Sequence, residues 1–267
     1  MLIGSGTGAM AESGKELIVL AAPQTDDPYY ASVADDIFDF HVGFAEQIAG
    51  RDEVLILTDA AGYDRYVEAL GEDRVAIAPM EDIWARDYGL ANAEAPVMFR
   101  YTAAGQGEGT QGQADADLVQ ETLAEIIDEA GLAYRTSDLL NDGGNFVEDG
   151  AGNAIASRKF LRDNGLDEAA GRAAIRDLTG ATNVAFIEAD EQGGLEHADG
   201  VVAFLEPGLL VTNSYPEDPD YAADLRANLQ AGLPDTEIHE IITAYDGSAI
   251  YDERFGSACG LYTNMLV

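Results

Sequence analysis

Short apolar runs alternate with longer mixed segments along the chain, and the two kinds of segment differ in periodicity. The apolar runs are rich in Val, Ile and Leu and are bounded by Gly, Asp and Asn, which is typical of β-strands. The predicted strands are Leu17–Ala21, Val54–Thr58, Val75–Ala78, Val97–Tyr101, Phe146–Glu148, Ala154–Ser157, Asn183–Ile187, Gly200–Leu205, Leu209–Thr212, Glu237–Ile242 and Leu261–Val267.

Most of the longer segments place apolar residues at positions i, i+3 and i+4, which indicates amphipathic helices. The predicted helices are Ala34–Ile48, Asp64–Leu70, Ala116–Ala130, Glu168–Thr179 and Tyr221–Ala231. No two predicted helices are consecutive, so the order of elements favours an α/β protein. The glycine-rich stretch Gly105–Gly112 (GQGEGTQG) is predicted to be an exposed loop.

The pattern leaves two α/β architectures open. A doubly wound parallel sheet is the usual arrangement for strands that alternate with helices. Two pairs of predicted strands, however, are separated only by the tight turns Asp149–Gly152 and Glu206–Gly208. Antiparallel pairs of this kind are less typical of a purely parallel sheet. No repeat of fixed period is visible in the sequence.

The charge of the chain is extreme for a protein with an ordinary apolar content. Its 267 residues include 14 basic and 50 acidic ones, giving a formal net charge of −36, and its lysines are Lys15 and Lys159. A hydrophobic content of 47% indicates a globular protein, and we expect a single domain over residues 1–267. No basic cluster exists to neutralise phosphates, which excludes nucleic acid as a partner. We interpret the acidity as adaptation to concentrated salt, in the cytoplasm of a halophile.

We predict that the protein needs molar salt to fold. At low ionic strength the repulsion among its 50 acidic side chains is poorly screened and destabilises the compact state. Circular dichroism should therefore show a loss of ordered structure when KCl is lowered from molar to millimolar concentration. An unchanged spectrum would contradict the halophilic interpretation.

Cysteine content and hydropathy exclude further classes of protein. Cys259 is the single cysteine, which excludes an intramolecular disulfide and a cysteine-rich zinc site. No apolar run approaches the ~20 residues of a membrane-spanning helix, so no membrane association is expected. Residues 1–14 lack the positive charge that begins a signal peptide; we expect a flexible N-terminus there, with a leader remnant as the alternative. The oligomeric state is open, with a homo-oligomer as one alternative.

Two segments supply residue types suited to holding and processing a guanidinium group. His197-Ala198-Asp199 offers an imidazole and a carboxylate, and Asp87 offers a second carboxylate. Carboxylates match the planar fork of N–H donors, and imidazole transfers protons near neutral pH. In a strand, the side chains of His197 and Asp199 would face the same way. The alternatives are a His and an Asp that satisfy nearby backbone groups, and a surface ion pair between Arg86 and Asp87.

Two further candidates accompany these segments. Trp84 either stacks on a bound planar cation or is a core aromatic residue. Asp142, Gly144 and Asn145 form a segment with a carboxylate, a tight backbone and an amide, which predicts either substrate contacts or a turn without a ligand. A calcium site over residues 142–153 is a third interpretation, but the spacing of its oxygen donors does not match an EF-hand loop.

Three motifs carry a family resemblance, in matching order over residues 17–267. Ile83–Gly89 (IWARDYG) resembles the Trp-x-Arg-Asp-x-Gly signature of the agmatine deiminase and bacterial-type peptidylarginine deiminase family, within the guanidino-group-modifying superfamily. Asp142–Val147 (DGGNFV) resembles its acidic-Gly-Gly segment, which usually begins with the longer glutamate. Gly194–Gly200 (GLEHADG), followed by Pro207 and Gly208, resembles its Gly-His-x-Asp strand and turn.

The resemblance implies a pentein-type α/β propeller of ββαβ units and a deiminase that needs no metal or organic cofactor. A cysteine thiolate would attack the guanidinium carbon, ammonia would leave, and water would hydrolyse the covalent intermediate to a ureido product. By resemblance, His197 would be the general acid and base, while Asp87 and Asp199 would hold the cation.

The nucleophile is the point at which the sequence departs from the family. The family's cysteine lies in a glycine-rich segment near the C-terminus, whereas Gly256–Asn264, which contains Cys259, resembles the segment before it. Either Cys259 is the nucleophile, or the sequence lacks its last propeller unit and Cys259 is a small buried residue.

Three functions are therefore open. The first is a deiminase acting on a small cationic guanidino compound, agmatine before peptidyl-arginine. The second is an inactive guanidinium-binding remnant. The third is amidinotransferase chemistry on the same fold.

Overall fold

The computed structural model of the chain describes residues 15–92, 95–107, 109–189, 195–242, 250–251, 255–256 and 262–264. Its contacts divide it into two compact units. Unit 1 contains residues 15–85 and 118–133, and unit 2 contains residues 86–117 and the described residues from 134 onwards. Among the described helices, none has both the length and the apolar composition required to cross a bilayer.

Unit 1 contains a parallel sheet in the order β1 (Leu17–Ala21), β2 (Glu53–Thr58) and β3 (Val75–Ile77). Parallel neighbours need a crossover, and helices α1 (Ala34–Ile48) and α2 (Tyr63–Leu70) provide the two connections. A 3₁₀ turn over Glu72–Arg74 leads into β3. The core of this unit lies between the sheet and the two helices, and it includes Ala45, Val54, Ile56, Tyr66 and Val75.

Unit 2 begins with a βαβ crossover. Strands β4 (Val97–Arg100) and β5 (Arg135–Leu140) pair in parallel and are joined through helix α3 (Gly109–Glu129), of which residues 109–117 belong to this unit. A 3₁₀ turn over Ala103–Gly105 follows β4. Because the strands are parallel, the segments that follow β4 and β5 leave the pair at the same end.

Two successive ββαβ units follow, with the same order and the same pairing. In the first, β6 (Phe146–Glu148) pairs antiparallel with β7 (Asn153–Ser157), and helices α4 (Lys159–Asp163) and α5 (Glu168–Thr179) lead to β8 (Asn183–Ile187), which is parallel to β7.

In the second unit, β9 (Val202–Glu206) pairs antiparallel with β10 (Leu209–Asn213), and helix α6 (Pro219–Gly232) leads to β11 (Glu237–Ile241), which is parallel to β10. A short antiparallel hairpin, β12 (Ile250–Tyr251) and β13 (Phe255–Gly256), follows. The separate small sheets show that the doubly wound alternative is wrong.

Strand β8 shows why the apolar runs are so continuous in this fold. Val184 and Phe186 pack into one apolar cluster with residues of α4 and α5, whereas Ala185 and Ile187 pack into another with residues of α6. Successive side chains of a strand point to opposite faces, so a strand buried on both faces loses the polar alternation.

Several elements differ from the sequence-based expectation. Helix α3 begins at Gly109, inside the stretch predicted to be a loop, and α4 and α5 are consecutive helices. Strand β5 was not predicted, because its residues include Arg, Thr, Ser and Asp, and none of them is fully buried. Tyr262–Asn264 lies in a turn and not in a strand, while the rest of Leu261–Val267 and residues 1–14 lie outside the described residues.

Candidate functional site

Three loop segments of unit 2 are joined by backbone hydrogen bonds: one contains Asp87, one contains Gly143-Gly144 (the Gly-Gly segment) and one contains Asp199. The N–H of Gly143 donates to the carbonyl of Asp87 at 2.8 Å, and the N–H of Asp199 donates to the carbonyl of Gly144 at 3.0 Å. The N–H of Gly144 donates to Oδ1 of Asp87 at 3.1 Å. The Gly-Gly segment therefore lies between the other two and fixes their spacing.

Both glycines of this segment are required by close packing. A Cβ on Gly143 would overlap the carbonyl oxygen of Arg86. A Cβ on Gly144 would overlap the imidazole of His197, with Cε1 only 2.9 Å away. Glycine is the residue that lets a backbone approach this closely.

We predict that Gly144→Ala displaces the imidazole of His197 and destabilises the protein by about 1–3 kcal/mol, because the overlap with the ring forces a local shift. Denaturant unfolding would measure the stability, and the NMR signals of the His197 ring would report the displacement. Gly43→Ala, in helix α1, is the control: its Cβ would meet open space, and it should be neutral or stabilising by up to about 1 kcal/mol. Equal stabilities of the two variants would contradict this packing argument.

The position of Asp142 follows from the βαβ crossover. Asp142 follows β5 and Thr102 follows β4, and the N–H of Thr102 donates to Oδ1 of Asp142 at 3.1 Å. The other carboxylate oxygen lies 3.3 Å from Nε2 of His197. Asp142 is 1% exposed, so its two carboxylate oxygens are divided between a backbone group and the imidazole. This arrangement orients the His197 ring.

Opposing effects set the pKa of His197. Burial lowers it, but the hydrogen bond with Asp142 and the charges of Asp87, Asp199 and Asp142 outweigh burial, so the pKa is raised above its ordinary value. Nδ1 of the ring lies 3.9 Å from Oδ1 of Asp87. The imidazolium form is therefore favoured in this site.

Asp87 is the most perturbed carboxylate of the group. Burial, with the charges of Asp142 and Asp199, raises its pKa from 3.8 to about 6, while His197 and the N–H of Gly144 act in the opposite direction. Like charges that share a poorly solvated site cannot all ionise without a cation. A perturbed carboxylate in such a cluster is a candidate for function.

Asp199 has an arginine partner that the sequence did not reveal. Nε of Arg86 lies 3.1 Å from Oδ2 of Asp199. The pKa of Asp199 is still raised, because burial outweighs the charges of Arg86 and His197. The ion pair found for Arg86 is with Asp199, so the alternative of a surface ion pair between Arg86 and Asp87 does not account for these residues.

The His-x-Asp segment is a loop and not part of a strand. Glu196 has φ +50°, the N–H of Val201 donates to the carbonyl of Ala198, and β9 begins only at Val202. The prediction that His197 and Asp199 face the same way in a strand is therefore wrong. Their approach to the Gly-Gly segment results from this turn.

The remaining sequence candidates have different surroundings. Asn145 is 2% exposed, and its amide donates to Asn141 and accepts from the N–H of Ser157, which is a structural role. Trp84 belongs to unit 1 and is 60% exposed, so the core-aromatic alternative is wrong. Cys259 lies outside the described residues.

The calcium interpretation of residues 142–153 finds no support. Asp149 accepts N–H groups of Ala151, Asn153 and Gly208, as expected of a residue that stabilises a hairpin turn. Among the residues that the structure describes, no group of three or more His, Cys, Asp or Glu side chains is arranged to hold a metal ion.

The charges of the site define the ligand that it suits. Three carboxylates (Asp87, Asp142 and Asp199) lie around one imidazole, and the guanidinium of Arg86 pairs with one of them, Asp199. Even with His197 protonated, the formal charge of this group is negative. A small cation would relieve the repulsion that raises the pKa of Asp87.

Comparisons with known proteins identify the relatives of this chain. A sequence model of the Porphyromonas-type peptidyl-arginine deiminase family matches residues 10–244. An agmatine deiminase of Pseudomonas aeruginosa (strain LESB58) is 28% identical over 198 residues, which are 66% of this chain and 52% of that protein. The chain thus spans about half the length of this curated relative.

Solved structures of two agmatine deiminases resemble the chain in fold. The enzyme of Enterococcus faecalis has a TM-score of 0.68 at 18% identity, over 91% of this chain and 72% of that one. The enzyme of C. jejuni has a TM-score of 0.70 at 15% identity, over 91% of this chain and 74% of that one. Together with the repeated ββαβ units, these similarities confirm the pentein-type α/β propeller fold class. Because the family model matches most of the chain, the protein belongs to the Porphyromonas-type peptidyl-arginine deiminase family.

Proposed function

We propose that the site of Asp87, Asp142, His197 and Asp199 binds a guanidino group and hydrolyses one of its C–N bonds, with release of ammonia. The observation that carries this proposal is the group of three buried or nearly buried carboxylates around one imidazole. A guanidinium ion has the charge, the planarity and the N–H donors that such a group can accept. The names of the relatives, which are agmatine and peptidyl-arginine deiminases, support the same reaction.

In the proposed binding step, Asp87 and Asp199 accept N–H groups of the substrate. Cation binding favours the ionised form of Asp87, so its pKa falls and it releases the proton that it holds below about pH 6. Substrate binding should therefore weaken as the pH falls through about 6, because the guanidinium must then compete with that proton.

In the proposed chemical steps, a cysteine thiolate attacks the guanidinium carbon and forms a C–S bond. His197, whose pKa the surrounding carboxylates raise above its ordinary value, gives its proton to the leaving nitrogen, and ammonia departs. The neutral imidazole then takes a proton from water, whose oxygen attacks the same carbon. The C–S bond breaks, the thiolate is restored, the remaining proton of the water passes to the solvent and the ureido product leaves.

We propose agmatine as the substrate in preference to peptidyl-arginine. Agmatine carries no carboxylate, so nothing in it is repelled by a chain with a net charge of −36. Its second cationic end is compatible with acidic surroundings, although high salt reduces that attraction.

Turnover with both substrates tests the proposal. The protein, in molar KCl, is incubated with agmatine or with a peptide that contains an internal arginine, and ammonia and the ureido product are measured. We expect product from agmatine, loss of it in Asp199→Asn, and no change in Asp35→Asn, whose side chain is 87% exposed. Product formation that survives Asp199→Asn would overturn this site.

Cys259→Ser decides the origin of the thiolate in the same assay. Loss of product would assign the nucleophile to Cys259, and full activity would exclude it. Agmatine that binds to the wild-type protein without releasing ammonia would instead support the alternative, a guanidinium-binding protein without catalysis.

A further inference from the structure

Glu196, the residue immediately before His197, combines a left-handed backbone with a buried charged side chain. Its backbone has φ +50°, in the left-handed region that glycine adopts freely and other residues rarely do. Its side chain is charged, yet the residue is only 7% exposed. A strained backbone and a buried charge persist only where surrounding groups compensate for them.

Arg162 provides that compensation. Its Nη2 forms an ion pair with Oε2 of Glu196, and its Nη1 lies 3.4 Å from Oε2 of Glu188. The arginine is therefore shared between the residue after strand β8 and the residue before His197.

Helix α4, which carries Arg162, is anchored by apolar packing and by a backbone hydrogen bond. Its neighbours Phe160 and Leu161 are buried in the apolar core of unit 2. The N–H of Arg158, at the start of α4, donates to the carbonyl of Ile187 at 2.8 Å. Helix α4 is thus joined to strand β8, and the half-exposed side chain of Arg162 extends from this helix to Glu196.

We propose that Arg162 and Glu196 are positioning residues for His197: their ion pair holds the left-handed turn that presents the imidazole to Asp142. The importance of this position for catalysis rests on the proposed function. The structural part of the inference concerns only the His197–Asp142 geometry and holds or fails without turnover.

Loss of the ion pair between Arg162 and Glu196 should shift the backbone at His197 and so change the position and the pKa of its imidazole. Without Arg162, Glu196 loses the ion pair that compensates for its burial, and its side chain gains by turning toward water. That movement releases the backbone from φ +50° and shifts the adjoining His197. The imidazole then leaves its 3.3 Å contact with Asp142, which is one of the interactions that raise its pKa.

The test is the pKa of His197, followed by NMR in protein with labelled histidine. The sequence contains only three histidines, and His197→Asn assigns the signal. We expect Arg162→Met to lower the pKa by about one unit, because burial remains while the contact with Asp142 is lost. Arg226→Met is the matched control: Arg226 pairs with Glu240 on the surface of the same unit, and its loss should leave the titration unchanged.

A second substitution that restores the pKa of His197 separates a positioning role of Arg162 from a merely structural one. Glycine takes φ +50° without strain and has no charge to neutralise, so Arg162→Met combined with Glu196→Gly should restore the wild-type titration of His197. A wild-type titration in Arg162→Met, or a double variant as perturbed as the single one, would overturn the proposal. If Arg162→Met does not fold, the double variant decides alone: a folded protein with the wild-type pKa supports the proposal, and any other result overturns it.

The proposed function is tested separately on the same signals. Agmatine added to the wild-type protein should shift the His197 resonance. An unchanged resonance would count against guanidinium binding and would leave the comparison of Arg162 variants intact.

Discussion

Asp87→Asn is expected to make the protein more stable and to remove most of the proposed activity toward agmatine. The carboxylate of Asp87 is nearly buried beside Asp142 and Asp199, and its pKa is raised from 3.8 to about 6. A shift of about two units corresponds to about 3 kcal/mol that ionisation of this group takes from the folded state at neutral pH. An amide of the same shape removes that charge and can still accept the N–H of Gly144.

The pH dependence of this gain has a definite sign. The folded pKa is higher than the unfolded one, so the folded protein binds this proton more tightly than the unfolded chain. The contribution of Asp87 is therefore favourable below about pH 4 and is lost as the pH rises through about 6. The increase in the free energy of unfolding by Asp87→Asn should therefore reach its full size only above about pH 6.

Denaturant unfolding in constant salt measures the effect. We expect Asp87→Asn to increase the free energy of unfolding by about 1–3 kcal/mol at about pH 8, and to give little or no gain near pH 4. Asp35→Asn should change neither value by more than about 0.5 kcal/mol. A variant less stable than the wild type at the higher pH would show that the charge of Asp87 is already compensated.

The same substitution should lower kcat/KM for agmatine, the proposed substrate, by about 10²–10³-fold, since it removes a carboxylate that is proposed to accept guanidinium N–H groups. Stability and activity would then move in opposite directions at one residue. This opposition is expected where a site is built for a charge that the ligand supplies.

The sequence predicts elements best where local pattern and burial agree. Helices Ala34–Ile48 and Glu168–Thr179 have the bounds expected from their apolar spacing, and strand Asn183–Ile187 matches as well. Strand Arg135–Leu140 was missed, because most of its residues are polar and it pairs at the edge of a two-stranded sheet. Its pairing depends on the parallel contact with β4, which no local pattern encodes.

For the candidate site, the residue types were readable but their geometry was not. The family motifs indicated Asp87, His197 and Asp199, and the structure brings them together on the Gly-Gly segment. The left-handed backbone of Glu196 could not be foreseen, because glutamate seldom adopts it and its support comes from Arg162, which is distant in sequence. Arg86 was visible within the motif, but its choice of Asp199 is decided by the fold.

Asp142→Asn is expected to give the second large effect, through the protonation state of His197. The hydrogen bond from the imidazole to Asp142 is the first of the interactions that raise the pKa of His197 against the effect of burial. An amide at this position keeps the shape but removes the charge, so the pKa of His197 should fall. A smaller fraction of the protein would then carry the proton that the proposed release of ammonia requires.

The consequence is a loss of kcat of about 10²–10⁴-fold near neutral pH, of the size seen when a proton-transferring histidine loses its orienting carboxylate. The residual kcat should increase toward lower pH, where the imidazolium is restored, whereas protonation of Asp87 at low pH should oppose substrate binding. The pH profile of kcat measures the first effect and that of kcat/KM measures the second, with the NMR titration of His197 beside them. Asp177→Asn, an exposed aspartate of the same unit, should keep the wild-type profile. Wild-type kcat in Asp142→Asn would mean that the imidazole does not depend on this buried carboxylate, and His197 would then lose its assigned role as the proton donor.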